Sequence, residues 1–292
     1  MAPHEVVSGP MEDEPMTKDI MVHLDGSAED EIRLEYGQAL ATAGQTHLIG
    51  IFTNLLPDLT IPMPMDGGAA AMQVLAELDE RARRDGDATA TRLTERLAGL
   101  QVPHELRRLD ETYGVLSEKV AELARCADLF IATRPHREPD ITDWSDLAEA
   151  VLFGSGRALL LVPPGRHRQG PIRTVLVAWN GSREAARALR EGLSFIEQAA
   201  RTIVLVVDPP EDSEPWNEVE LHLARHGVVA DVVSTESGDR GIGEVILDEA
   251  KRLSADLVIM GGYGHARLRE QVFGGATRDV LHTAASPLLI AH

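Results

Sequence analysis

The chain has one cysteine, Cys126, among 292 residues. A lone thiol forms no internal disulfide, and no cysteine and histidine cluster has zinc spacing, so neither a disulfide framework nor a zinc site is expected. Cys126 reads as a small buried hydrophobe. Positive charge is also short: 28 Lys and Arg stand against 47 Asp and Glu, a formal charge of −19. Such a surface repels phosphate backbones at long range, which argues against a nucleic-acid partner but leaves a small phosphate ligand open to local donors. No run of about 18 apolar residues exists, so no membrane-spanning helix and no membrane partner are expected. The first residues, "MAPHEVVSGPMEDEPMTKD", lack a basic stretch followed by an apolar one and do not read as a signal peptide. They read as a disordered tail over residues 1–16, and the expected location is the cytoplasm. Three catalytic signatures are missing too: Gly-x-x-x-x-Gly-Lys-Ser/Thr, Gly-x-Ser-x-Gly and His-Glu-x-x-His.

What the chain does have is repetition. "IMVHLDGSAEDEIRLEYGQAL" from Ile20 matches "VLVAWNGSREAARALREGLSF" from Val175, and Asp25-Gly26-Ser27 precedes Asn180-Gly181-Ser182 by 155 positions. The same offset lays "HLIGIFT" at His47 on "TIVLVVD" at Thr202, whereas "CADLFIAT" at Cys126 matches "SADLVIMG" at Ser254 at an offset of 128. The first copy thus carries 27 additional residues, read as an irregular loop and a long helix near 57–98. Short β-rich apolar runs alternate with amphipathic helices in each copy. That implies α/β architecture: two repeated domains with open, parallel sheets covered on both faces. The expected domains are residues 17–165 and 170–292, joined by "PPGRHRQGP". In the second, the strands are expected at Thr174–Ala178, Thr202–Val207, Val228–Ser234, Asp256–Met260 and Pro287–Ala291. The helices between are expected at Arg183–Ala199, Trp216–His226, Gly243–Leu253 and Thr277–Thr283.

The candidate chemistry lies in "GGYGHARLREQVFGGAT". In open parallel sheets, ligands bind beyond the carboxyl ends of the strands. Gly261, Gly262 and Gly264 follow the strand that ends at Met260. Gly274, Gly275, Ala276 and Thr277 open the next helix, whose unpaired N–H groups and partial positive charge suit an anion. Glycines let such amides converge, so the pair of clusters reads as a phosphate cradle without a lysine. Arg267, Arg269, Arg278 and His265 add local positive charge. Each cluster alone is better explained by a turn or an ordinary helix entry; the two at this spacing point to a ligand.

With these residues in view, the chain resembles a tandem universal stress protein over nearly all of residues 17–292. The family's nucleotide-binding members carry Gly-x-x-Gly, nine residues, then Gly and Ser or Thr. Here Gly261 and Gly264 precede Gly274, Gly275 takes the hydroxyl position, and Thr277 follows. "ASPLLIAH" resembles the family's closing strand. The resemblance implies a Rossmann-like fold of the adenine nucleotide alpha-hydrolase type. It implies ATP as ligand, or ADP or AMP in its place, with or without Mg. It also implies contacts to the nucleoside from Asp25 or Asn180, to adenine near Val206 and to ribose beside Met260. A single site in the second half is expected, because Arg134-Pro135 replaces the glycine pair in the first and proline removes a donor. "FGSG" at Phe153–Gly156 reads there as a remnant of the second cluster. His23 reads as a packed histidine, Trp179 as core or rim packing, "EDEIRLE" (Glu29–Glu35) as a solvated helix face, and Trp144 and Trp216 give no functional signal. Three readings stay open. One is a nucleotide-responsive binding module with an unidentified protein partner. One is a slow ATPase assisted by Asp239, Glu244 or His265. The last is a nucleotide-free scaffold. The two halves are expected to form an intramolecular pseudo-dimer through "ALLLVPP" and "PLLIAH", and two chains can pair further as a homodimer.

Overall fold

The structure is a computed structural model that describes residues 17–58, 68–134, 143–210, 214, 216–262, 277, 280–281 and 283–292. Residues 1–16, the Pro/Met-rich segment at 59–67, and Gly264, Gly274, Gly275 and Ala276 lie outside the described residues.

The first half runs β1 (Asp19–Leu24), α1 (Glu29–Gly44), β2 (His47–Leu55), α2 (Gly68–Ala98), β3 (His104–Glu111), α3 (Tyr113–Ala124), β4 (Leu129–Thr133), α4 (Ser145–Gly154), β5 (Ala158–Val162). The second runs β6 (Thr174–Ala178), α5 (Arg183–Glu191), α6 (Leu193–Gln198), β7 (Arg201–Val207), α7 (Asn217–Arg225), β8 (Ala230–Thr235), α8 (Ile242–Arg252), β9 (Leu257–Gly261), β10 (Leu288–Ala291). Strand and helix alternate because short, continuously apolar runs such as "LFIAT" and "ALLLV" are separated by helical segments. Runs of that kind need cover on both faces and give parallel pairing. Every residue of β4, β5 and β10 is buried, and two apolar layers flank the sheet, one built around Val22 and Val177, the other around Phe130 and Val258.

All strands lie in one open ten-stranded sheet of order β3-β2-β1-β4-β5-β10-β9-β6-β7-β8. Each half has the same internal order, and all neighbours are parallel except the central pair. There β5 and β10 run antiparallel, with Leu159, Leu160 and Leu161 opposite Ile290, Leu289 and Leu288. These six side chains are at most 2% exposed. Full burial of one such side chain is worth roughly 2 kcal/mol, so the join is a continuous core rather than a surface contact.

Three details differ from the sequence reading. The repeat is one residue out at the second strand: Thr174 pairs with Arg201 where Asp19 pairs with His47, so the second copy is one residue shorter before β7. The helix expected over Arg183–Ala199 breaks at Gly192, where a Cβ would meet Ile259 Cδ1 at 2.5 Å. The strand expected from Val228 begins at Ala230, because the amides of Gly227 and Val228 turn back to Ala224 O and Leu223 O and close α7.

Helix α2 is the long helix expected in the first half. Leu93 and Leu97 bury its carboxyl-terminal half on the sheet, while Met72, Val74 and Leu78 near its start are exposed. Arg96 forks onto Glu31 with bonds of 2.7 and 2.6 Å, and Arg92 Nη2 donates to Gly26 O at 2.9 Å. The extra helix is therefore laid against the turn that follows β1. No helix among the described residues is long and apolar enough to cross a membrane.

Candidate functional site

Of the residues singled out in the second half, four lie at neighbouring strand ends. β6 lies between β7 and β9, with Ala178 paired to Leu205 on one side and Met260 on the other. Asn180, Val206, Met260 and Gly261 thus gather at one end of three strands. Val206 and Met260 are 3% and 5% exposed, so their side chains belong to the core. Asn180 is exposed. Its Oδ1 accepts from Ser182 N at 3.1 Å across Gly181, whose φ of 71° favours glycine. Ser182 Oγ accepts from Ala185 N at 3.1 Å and caps α5.

The glycine pair at the end of β9 has a packing role that the sequence reading did not separate from ligand approach. A Cβ at Gly261 would lie 2.5 Å from both Ala185 N and Glu184 C, so the first turn of α5 presses on bare backbone there. A Cβ at Gly262 would meet Ile290 Cδ1 at 2.7 Å. Gly262 N donates to Ala291 O at 2.8 Å, and His292 Nδ1 donates to Gly262 O at 3.1 Å. The Gly262 amide is therefore engaged within the sheet. Thr277 is helical and buried.

The first half is finished differently. Asp25 accepts at Oδ1 from Arg33 Nη2 (2.5 Å), Ser27 Oγ (2.5 Å) and Ser27 N (3.2 Å), and at Oδ2 from Trp144 Nε1 (2.7 Å). Asp30 accepts from Arg33 Nη2 at 2.5 Å and from the amides of Asp25 and Gly26, both at 2.9 Å. Burial drives the Asp30 carboxyl above its ordinary range, while Arg33 opposes that shift. Arg33 is fully buried. Its Nη1 donates to His23 Nδ1 at 3.3 Å. Guanidinium has no acceptor, so neutral His23 carries its proton on Nε2 and donates to Thr53 Oγ1 at 2.8 Å; Thr53 in turn donates to Leu24 O at 3.3 Å. Trp144 packs edge-on against His23 with centroids 4.8 Å apart and stacks on Tyr113 at 5.6 Å. Tyr113 donates to Asp143 O. A buried arginine between two carboxylates and an indole thus seals the tip of β1.

Four sequence readings are corrected here. "EDEIRLE" is not a solvated face: Asp30, Ile32, Arg33 and Leu34 are buried, because the helix turns Asp30 and Arg33 into the Asp25 network. Cys126 is exposed, since it sits in the turn between α3 and β4. "FGSG" closes α4 and leads into β5, so it is a helix exit and not a relic of a helix entry. By strand register the counterparts of Gly261 and Gly262 are Thr133 and Arg134, in keeping with the offset of 128, and not Arg134 and Pro135: Arg134 N donates to Val162 O as Gly262 N donates to Ala291 O. His23 is packed, as expected. Trp144, which carried no signal in the sequence, holds Asp25. A usable signal was its place just before the helix that precedes the closing strand, where the second half has its second glycine cluster.

Residues 171–292 match the family model described as the Universal stress protein family. A universal stress protein from Archaeoglobus fulgidus DSM 4304 superposes with a TM-score of 0.71 at 15% identity, over 94% of this chain and 98% of that one. A functionally unknown protein from Pseudomonas aeruginosa PAO1 superposes with a TM-score of 0.60 at 15% identity, over 95% of this chain and 93% of its own. No curated protein matches the chain. The second half therefore carries a universal stress protein domain, and across both halves the chain shares the open, mostly parallel fold of these structures.

Proposed function

We propose that the chain is a tandem universal stress protein, with domains at 17–165 and 170–292, that binds one adenine nucleotide in its second domain. ATP is the expected ligand, and the protein acts as a nucleotide-responsive module rather than an enzyme with rapid turnover. The observation that carries the reading is the contrast between the tips. Where the first half has Asp30 and Arg33 the second has Ala185 and Ala188, Asn180 is exposed, and bare glycine backbone ends β9. The family match over the same residues supports it. In this reading Gly264, Gly274, Gly275, Ala276 and Thr277 hold the phosphates, with or without Mg, and Asn180 and the backbone near Val206 and Met260 meet the nucleoside. Because Gly262 N is bonded to Ala291 O, the cradle draws its donors from the later residues. Denaturing purified protein and analysing the released small molecules tests this. ATP, ADP or AMP bound near one per chain, without steady ADP formation when Mg and ATP are added, is the expected result. Steady turnover favours the slow ATPase; no bound nucleotide and no heat on titrating ATP favour the nucleotide-free scaffold.

A further inference from the structure

Two guanidinium groups outside the second half reach the carboxyl end of the chain's last helical stretch, which includes Thr277, Val280, Leu281 and Thr283. Arg134 Nη1 donates to Leu281 O at 2.7 Å, and Arg166 Nη1 donates to Ala285 O at 2.5 Å. Ala284 N bonds Val280 O at 2.9 Å, so both acceptors sit at the last turn or just beyond it. Carbonyls at a helix end lack partners in the helix and carry partial negative charge, so cations there stabilise it.

Both arginines are themselves held from the first half. Arg134 follows β4 directly, its amide fixed to Val162 O at 2.7 Å. Arg166 lies in a linker anchored on α1: Gly165 N donates to both Glu29 oxygens at 3.3 and 3.2 Å, and His167 and Arg168 engage Glu35 at 2.9 and 3.2 Å. Arg134 also stands at the register position that Gly262 takes in the second half. The arginine that takes this glycine's place in the first half therefore reaches across to the other half.

We propose that Arg134 and Arg166 are positioning residues through which the first half sets the ligand affinity of the second, by bracing the helical stretch that follows the glycine–threonine cluster in sequence. The inference rests on the nucleotide reading above and adds a direction of coupling to it. Neither arginine touches the ligand.

The test uses the full chain with Arg134→Ala, Arg166→Ala, the double variant, Arg134→Lys and Arg187→Ala. The last removes a different bond between the halves, Arg187 Nη2 to Gly156 O at 2.6 Å. Calorimetric titration with ATP and hydrogen exchange at the Leu281 and Ala284 amides are read together. Each single alanine is expected to weaken ATP about two- to fivefold and the pair about tenfold, with faster exchange at both amides. Arg134→Lys, which keeps a cation at the helix end, restores most of the affinity, and Arg187→Ala stays within about twofold of wild type. Wild-type affinity in the double variant overturns the inference. So does an equal loss in Arg187→Ala, which would reduce the effect to a general loosening between halves. If wild type binds no adenine nucleotide, the underlying reading fails. The brace is then judged by exchange alone, and unchanged exchange in the double variant overturns it as well.

Discussion

At the end of β1, Asp25-Gly26-Ser27 is bound by Arg33 and Trp144 and overlaid by Arg92; at the end of β6, Asn180-Gly181-Ser182 bonds to itself and caps α5. The backbone is shared: Gly26 and Gly181 have φ of 81° and 71°. The turn therefore does not depend on the charge at its first residue. The side chains one turn further on decide whether the tip becomes core or surface. Exchanging Asp30 and Arg33 for two alanines removes both the carboxylate that clasps the turn and the cation that neutralises it. The first half thus builds an interior where the second half leaves Asn180 exposed. Its extra helix and its tryptophan are parts of that interior.

The comparison is broken most severely at Arg33. Arg33→Ala leaves Asp25 and Asp30 buried without their cation and is expected to cost about 3–5 kcal/mol in thermal or denaturant unfolding. Adding Asp30→Ala, which copies the second half, should recover part of that loss. A loss under about 1 kcal/mol in the single variant would show that the cluster is not sealed. Next in size is Gly261→Ala, whose new Cβ meets backbone atoms of Glu184 and Ala185 that cannot swing away; about 1–3 kcal/mol is expected, measured by urea unfolding. The matching change in the first half, Thr133→Ala, inserts nothing and should cost distinctly less. Equal costs would mean that α5 does not press on β9. Trp144→Phe keeps a ring against His23 and Tyr113 but removes the indole donor to Asp25, for a loss of about 1.5–3 kcal/mol.

The smallest effect is at Tyr113. Burial first, then Asp146 and Asp143, push its phenol up to about 12. The folded state then keeps that proton after the unfolded chain has lost it. The contribution is constant below pH about 10 and declines as pH rises from there toward 12. Phenolate absorbance should show a tyrosine titrating near 12 whose titration moves down toward the ordinary range in Trp144→Ala, where the stacked indole is gone and the neighbouring carboxylates remain.

The sheet could be read from the sequence because strands such as "DLFIAT" and "DLVIM" are apolar on both faces and repeat at fixed offsets. The one-residue slip at β7 could not, since "HLIGIFT" and "TIVLVVD" are equally apolar at either alignment and only hydrogen bonds such as Arg201 N to Arg173 O choose between them. Gly181, Ser182 and Asn180 were legible because turn chemistry is local. The fate of Asp30 and Arg33 was not: a charged helix stretch looks solvated until Trp144, 111 positions beyond Arg33, closes over the carboxylate between them. Gly261 was legible as a special position, but its contact with α5 is tertiary and no spacing in the sequence discloses it.

The claim on which the rest depends is that one chain holds a single adenine nucleotide, placed in the second half. Native mass spectrometry of the full chain with ATP, run beside Gly264→Val and Asp25→Asn variants, measures this directly. One nucleotide per chain, lost in Gly264→Val and retained in Asp25→Asn, is the predicted result. Two per chain, or one that disappears with Asp25→Asn and survives Gly264→Val, would contradict it.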